Sequence, residues 1–278
     1  MARQKPNKRE KFAAAQAEMK SAPASVLTKS QVPVWWPLLP AILGFFVYAN
    51  TLNHGFALDD YAAILENLST QKGWAAIGEI FRTSYRYGYI LLADELYRPL
   101  TKAIFAAFWA MWPDNATPGH VLNVALFSFT CYRVYTFTAK WRPNQMQVAL
   151  LTAALFAVHP IHTEVVANIK SLDEILAFLF CLLSLDLFLE YTKSGKTMSV
   201  VGAVICYFIA FLSKESAVTF IVLFPLMAWF IHGQDFKTSL KGTLIMLVPL
   251  LLFFLIRHQV LNADTIFKRI PLRNLPVQ

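Results

Sequence analysis

The feature that most constrains this chain is the recurrence of long apolar runs separated by short polar turns. A run of about 20 apolar residues can cross a bilayer as a helix, because a helix satisfies every backbone N–H and C=O within the segment. The runs are Val34 to Leu52, His120 to Thr138, Met146 to Asn168, Ile175 to Tyr191, Met198 to Leu212, Val218 to His232 and Leu244 to Ile256. They predict an all-α fold, a polytopic transmembrane helical bundle of about seven spans. Composition agrees: 56% of the 278 residues are hydrophobic and 15% are charged, where a soluble domain carries about 25% charge.

Charge sets the expected orientation. Residues 1–33 form a basic tail, with Arg3, Lys5, Lys8, Arg9, Lys11, Lys20 and Lys29 against Glu10 and Glu18. Such a tail can bind nucleic acid. Ahead of a long apolar run it reads more simply as a largely disordered, positive-inside topology signal, with the N-terminus cytoplasmic and no nucleic-acid partner. The loops carrying Lys140 and Arg142, Lys193 and Lys196, and Lys237 and Lys241 then fall on the same inner side. The first run starts too late and is too long for a cleavable signal peptide, so it is expected to be a permanent signal-anchor. Cys131, Cys181 and Cys206 all lie in apolar runs and read as small packing residues.

Residues 34–257 make up the expected membrane domain, with a long outer loop at 53–117. In that loop Trp74, Ile77, Ile80 and Phe81 recur at helical spacing opposite Gln71, Lys72, Glu79 and Arg82, which predicts an amphipathic helix lying in the interface. Ile104 to Trp112 is too short to span and is expected to be a second interfacial or re-entrant helix, with Pro99 near its first turn. Residues 258–278 form an outer C-terminal segment, so the chain is either a short form or the N-terminal portion of a larger protein.

This topology gathers the chemistry at the outer mouth. The stretch Phe56-Ala57-Leu58-Asp59-Asp60-Tyr61 follows the first run. Two adjacent carboxylates at a membrane edge need a cation, a proton or a substrate to offset their desolvation. The same side collects Arg98, Lys102, His120, Asn123, His159, His162, Glu164, Lys170, Asp173, Glu174, Lys214, Glu215 and Arg257. Arg and Lys suit a lipid-linked phosphate, and a carboxylate suits removal of a proton from an acceptor hydroxyl. Structural roles compete at each position. The Asp pair can be exposed turn acids, Asp173 and Glu174 can cap a helix N-terminus, and Lys214 with Glu215 can be a paired turn. His120 and Asn123, three apart on one face, can be interhelical hydrogen-bonders. The His159-x-x-His162-x-Glu164 spacing is a weak metal pattern because Pro160 disturbs the helix that would align it. No metal or other cofactor is expected.

At these residues the chain resembles a known family. It is similar to the GT-C-type glycosyltransferases, and within them to the membrane part of the transmembrane and tetratricopeptide-repeat O-mannosyltransferases and their bacterial relatives. The resemblance rests on an ordered set: Phe56 to Asp60, Tyr97-Arg98-Pro99-Leu100, His120 to Asn123, Phe156 to Glu164, Lys170 to Leu176, and Ser213-Lys214-Glu215. It implies a GT-C-like bundle and inverting transfer of a sugar, mannose in the first instance, from a polyprenyl- or dolichyl-phosphate donor. The acceptor would be a hydroxyl of a protein or glycan on the non-cytoplasmic face. It implies Asp59 as catalytic base with Asp60, its neighbour, as the second acid of the catalytic pair, and Arg98, Lys170 and Lys214 on the donor phosphate; Lys102, on the same outer side, is a further candidate for that phosphate. His159, His162, Asp173 and Glu174 match motif positions without an implied role. The family generally has more than seven spans and often a repeat domain. The alternatives are a transporter or flippase-like protein, an inactive short form, and a scaffold without chemistry. Against the transporter stands the near absence of charge in the inner halves of the spans. A multi-pass protein of the bacterial inner membrane is favoured, with the endoplasmic reticulum membrane as the alternative.

Overall fold

The computed structural model describes residues 32–89, 95–233 and 235–268, with side chains to residue 263. Nearly all of the basic tail and the last ten residues of the C-terminal segment lie outside the described residues. Among the described residues the chain is helical, with no strand.

Helix α1 (Leu38–Tyr48) continues as a 3-10 turn over Ala49–Asn53. The polar loop that follows holds a π turn at Tyr61–Leu65, then α2 (Leu68–Gln71), a 3-10 turn at Gly73–Ala76 and α3 (Ile77–Ile80). The expected amphipathic helix is thus three short pieces. Gly73 sets the break: it has φ +62°, and a Cβ there would stand 2.8 Å from Cβ of Ala110. Ala76 and Ile80 pack inward against Ala106, while Trp74 stays exposed.

Helix α4 (Pro99–Met111) is half buried and, at about 20 Å, too short to span, as its 13 residues require. Pro99 occupies its first turn, where no intrahelical N–H is lost. Helix α5 (Thr117–Trp141) runs 25 residues. The third apolar run does not form one helix. It splits into α6 (Met146–Val158) and α7 (His162–Ala167). Pro160 explains the split: it forces His159 into extended backbone at ψ 125° and removes an N–H. A 3-10 turn at Ile169–Ser171 leads into α8 (Leu172–Ser194), whose first turn holds Asp173 and Glu174.

Helix α9 (Thr197–Ser213) returns along α8 after Gly195, which caps α8 in the left-handed region. Small residues on α9, Ala203 and Ala210, are fully buried and let the two backbones approach. The Ser184 hydroxyl donates to the Ala203 carbonyl at 2.7 Å across the pair. A 3-10 stretch, Glu215–Val222, feeds α10 (Leu223–His232). Then come α11 (Phe236–Thr243), a 3-10 turn at Leu244–Met246 and α12 (Leu247–Lys268). The seventh run therefore continues as helix past Arg257 and His258. Phe188, Tyr207, Phe211, Phe224 and Phe253 form the main core between α8, α9, α10 and α12.

Among the described residues two stretches of helix are long and apolar enough to cross a membrane, Glu215–His232 and Phe236–Ala263, with mean hydropathy 1.6 and 2.2. Leu38–Asn53, Pro99–Met111, Met146–Val158 and Thr197–Ser213 are shorter apolar helices.

Candidate functional site

The Asp59-Asp60 pair divides into two environments. Leu58, at φ +48°, sits in the left-handed region that a branched side chain rarely adopts. Beyond this reversal the side chain of Asp59 is 62% exposed while Asp60 is fully buried. Asp60 Oδ2 accepts the Ala57 N–H at 2.9 Å and Oδ1 accepts the Lys170 N–H at 2.7 Å. Burial pushes the Asp60 carboxyl above its ordinary value, against the pull of those N–H groups and of His120.

Asp60 thereby joins the acid loop to the turn before α8. Two side chains on one face of α5 support the junction. His120 Nε2 lies 3.2 Å from the Gly55 carbonyl, and Asn123 donates to the Asn168 carbonyl at 2.8 Å. Gly119 admits the turn: a Cβ there would stand 2.5 Å from Cγ2 of Ile169. His120 and Asn123 are both fully buried and lie behind the acids, not in front of them.

A cluster of ion pairs surrounds Asp173. Arg98 Nη1 donates to Asp173 Oδ2 at 2.7 Å, and its Nε and Nη2 clasp Glu215 at 2.9 and 2.7 Å. Lys170 Nζ is 3.7 Å from both Asp59 Oδ2 and Asp173 Oδ2. Lys214 Nζ is 3.8 Å from Asp173 Oδ1 and donates to Glu174. Burial pushes the Asp173 carboxyl up, opposed by Lys170, Lys214 and Arg98. For Arg98 burial works against the charge, but Glu215 and Asp173 outweigh it and hold the guanidinium more firmly protonated than an ordinary arginine.

These groups border a cavity of about 610 Å³. Asp59, Lys170, Lys214, Glu174, Glu164 and Asn168 give its polar side, and Phe127, Phe156 and Phe178 its apolar wall. Phe156 stacks on Phe127 at 5.8 Å and on Phe178 at 5.4 Å between ring centres. His162 lies against Phe156 at 4.4 Å and also lines the cavity. The arrangement can hold an amphiphile with an anionic head at the lysines and an apolar tail on the rings.

Other candidates sit apart from this cavity. Arg98 is spent on two carboxylates and only 7% exposed, so it braces the site and does not line it. Lys102 is buried in α4 and donates to the Tyr87 carbonyl at 2.7 Å. Arg257 donates to the Glu95 carbonyl at 2.7 Å. His159 is exposed, and its Nδ1 accepts the Ile161 N–H at 3.2 Å, a turn-stabilising role at the Pro160 break. Among the described residues no three His, Cys, Asp or Glu side chains are grouped as a metal would need.

Two features escaped the sequence reading. The aromatic wall is one; its signal was present, since Phe127, Phe156 and Phe178 fall in three successive apolar runs. The other is at the opposite end of α8, where Asp186 accepts from Arg133 at 3.0 Å, Lys140 at 2.9 Å and Trp141 Nε1 at 3.0 Å. Glu190 is 3.2 Å from Lys140. The halves of the helices away from Asp59 are therefore not free of charge. A lone carboxylate in mid-run was the available clue.

Sequence comparison bears on this geometry. The human protein O-mannosyl-transferase TMTC2 is 31% identical over 192 residues, 66% of this chain and 22% of that protein. The chain resembles the TMTC family of membrane glycosyltransferases. Human TMTC4 is 29% identical over 220 residues, 71% of this chain and 29% of that protein, and Drosophila melanogaster Tmtc1 is 29% identical over 184 residues, 65% and 21%. Each of these TMTC proteins is named a protein O-mannosyl-transferase. The chain thus spans between about a fifth and three-tenths of the length of these TMTC relatives. No family model matches the chain, and no solved structure matches it. The apolar helices and the TMTC resemblance together support an integral membrane protein. The relatives come from fly, human and mouse and lend nothing to a bacterial inner membrane.

Proposed function

We propose that this chain is the glycosyltransferase module of a multi-pass membrane protein, with a GT-C-type bundle of about seven spans. It moves mannose from a polyprenyl-phosphate donor to a hydroxyl of a protein acceptor on the non-cytoplasmic face. The observation that carries the reading is the cavity in which Asp59, Lys170 and Lys214 face an apolar wall of Phe127, Phe156 and Phe178. A prenyl chain needs the wall, its phosphate needs the lysines, and the acceptor needs the carboxylate.

In this reading Asp59 takes the proton of the acceptor hydroxyl. The oxygen forms its bond to the anomeric carbon on the face opposite the phosphate. The bond from that carbon to the phosphate oxygen breaks, and polyprenyl phosphate leaves with the electron pair, its charge held by Lys170 and Lys214. Arg98 keeps Asp173 and Glu215 in place behind the lysines and does not touch the donor. Because the leaving group is already anionic, no metal is assigned a step.

The test is transfer of labelled mannose from a polyprenyl-phosphate donor to acceptor peptides by purified chain in liposomes. Wild type should transfer, and Asp59→Asn should lose about 10²–10⁴-fold in kcat with its fold intact. Equal transfer by both proteins would remove Asp59 from the chemistry. Substrate counterflow in proteoliposomes that survives loss of Asp59 would favour a transporter instead.

A further inference from the structure

The two acids of the pair are adjacent in sequence but differ in every physical respect. Asp59 is exposed at the cavity rim, and Asp60 is fully buried with both oxygens taken. We propose that Asp60 is a positioning residue for the reaction above: by binding the main-chain N–H groups of Ala57 and Lys170 it holds Asp59 and the Lys170 ammonium on one rim.

Three observations carry this. The tie is long-range, since its two donors lie in the acid loop and in the turn before α8. It is doubled by the α5 face, where His120 meets Gly55 and Asn123 meets Asn168. Its consequence is measurable in the structure: Lys170 Nζ stands 3.7 Å from Asp59 Oδ2, close enough to pair and too long for a hydrogen bond. An aspartate suits the task because each carboxylate oxygen accepts a charge-assisted bond. An asparagine has one accepting oxygen and must turn its NH2 toward one of the two donors.

The catalytic consequence rests on the proposed function, but the tie does not, so the two are read separately. Amide hydrogen exchange on the full chain in liposomes reads the tie. In wild type the Ala57 and Lys170 amides should exchange slowly, and Asp60→Asn should speed at least one of them, the one left facing the NH2, by about tenfold, the worth of one hydrogen bond. Kinetics reads the consequence. Asp60→Asn should raise the donor KM about tenfold and lower kcat far less than Asp59→Asn does.

Wild-type amides at Ala57 and Lys170 that exchange as fast as exposed loop amides would overturn the proposal. So would an Asp60→Asn protein that loses kcat as fully as Asp59→Asn at unchanged donor KM, since Asp60 would then act on the reacting atoms. If wild type transfers nothing, the function reading fails and exchange alone decides: unchanged protection at both amides in Asp60→Asn overturns the tie. Should Asp60→Asn not fold, Asn168→Ala removes the second acceptor of the Lys170 N–H, at 3.1 Å, and leaves Asp60 in place. The Lys170 amide must then stay protected, and its release to the exposed-loop rate would refute the role given to Asp60.

Discussion

Helix α8 carries one carboxylate cluster near each end, about 20 Å apart along the axis, and the two are built differently. At Asp186 every partner is within hydrogen-bond reach: Arg133, Lys140 and Trp141 all donate at 3.0 Å or less. At Asp173 only Arg98 donates at that range, while Lys170 and Lys214 stand off at 3.7 and 3.8 Å and border the 610 Å³ cavity. Lys140 also borders a recess, of about 330 Å³, but is held by Asp186 and Glu190. Buried charge alone therefore does not mark a site. A site needs a cation that is near its carboxylates yet able to turn to a ligand, and at the Asp173 end Lys170 meets that condition at 3.7 Å from both Asp59 and Asp173, while Lys214 pairs with Glu174 at the cavity edge.

The sharpest way to break this contrast is to remove the braced arginine at each end. Arg98→Ala strands Asp173 and Glu215 and should cost about 3–5 kcal/mol. Arg133→Ala leaves Asp186 two donors in a more exposed setting and should cost about 1–3 kcal/mol. Denaturant unfolding in detergent checks both, and equal costs would dissolve the distinction. Next in size is Gly119→Ala, whose Cβ must displace Ile169. It should destabilise by about 1–3 kcal/mol and weaken donor binding through the Lys170 turn. Lys170→Met and Lys214→Met should each raise the donor KM about tenfold, a loss of about 1.4 kcal/mol, with little change in stability, and Lys140→Met should leave it unmoved. Steady-state kinetics in liposomes separates them.

The smallest effect is in the pH dependence. Asp60 and Asp173 both sit above the ordinary carboxylate range because of burial. Between the ordinary value and the raised ones the folded chain binds more protons than the unfolded chain. Stability therefore falls as pH rises through that window and is regained as pH falls through it. Tm followed against pH should show this slope in wild type and a shallower one in Asp60→Asn.

The helices were legible in the sequence where apolar runs are unbroken: α5, α8 and α9 lie within three residues of their runs. Pro160 was visible too, and its effect on the backbone is local, yet the run around it is apolar enough to mask the break between α6 and α7. The site was half legible. Asp59, Lys170 and Lys214 could be gathered by topology. Nothing local says which of two adjacent acids is buried, because the decision rests on the Leu58 backbone and on an N–H far along the chain. Arg98 reads as a phosphate ligand until its partners Asp173 and Glu215 are seen to occupy it.

The proposed function stands or falls on whether the Asp59-end cavity takes a lipid-linked phosphate. A photoactivatable polyprenyl phosphate, cross-linked to the full chain in liposomes and mapped by mass spectrometry, tests it without requiring turnover. Adducts are expected at Phe127, Phe156 and Phe178, displaced by unlabelled polyprenyl phosphate and weakened by Lys170→Met. Adducts confined to the Lys140 recess or to the outer faces of α10 to α12, unchanged by Lys170→Met, would contradict the proposed function.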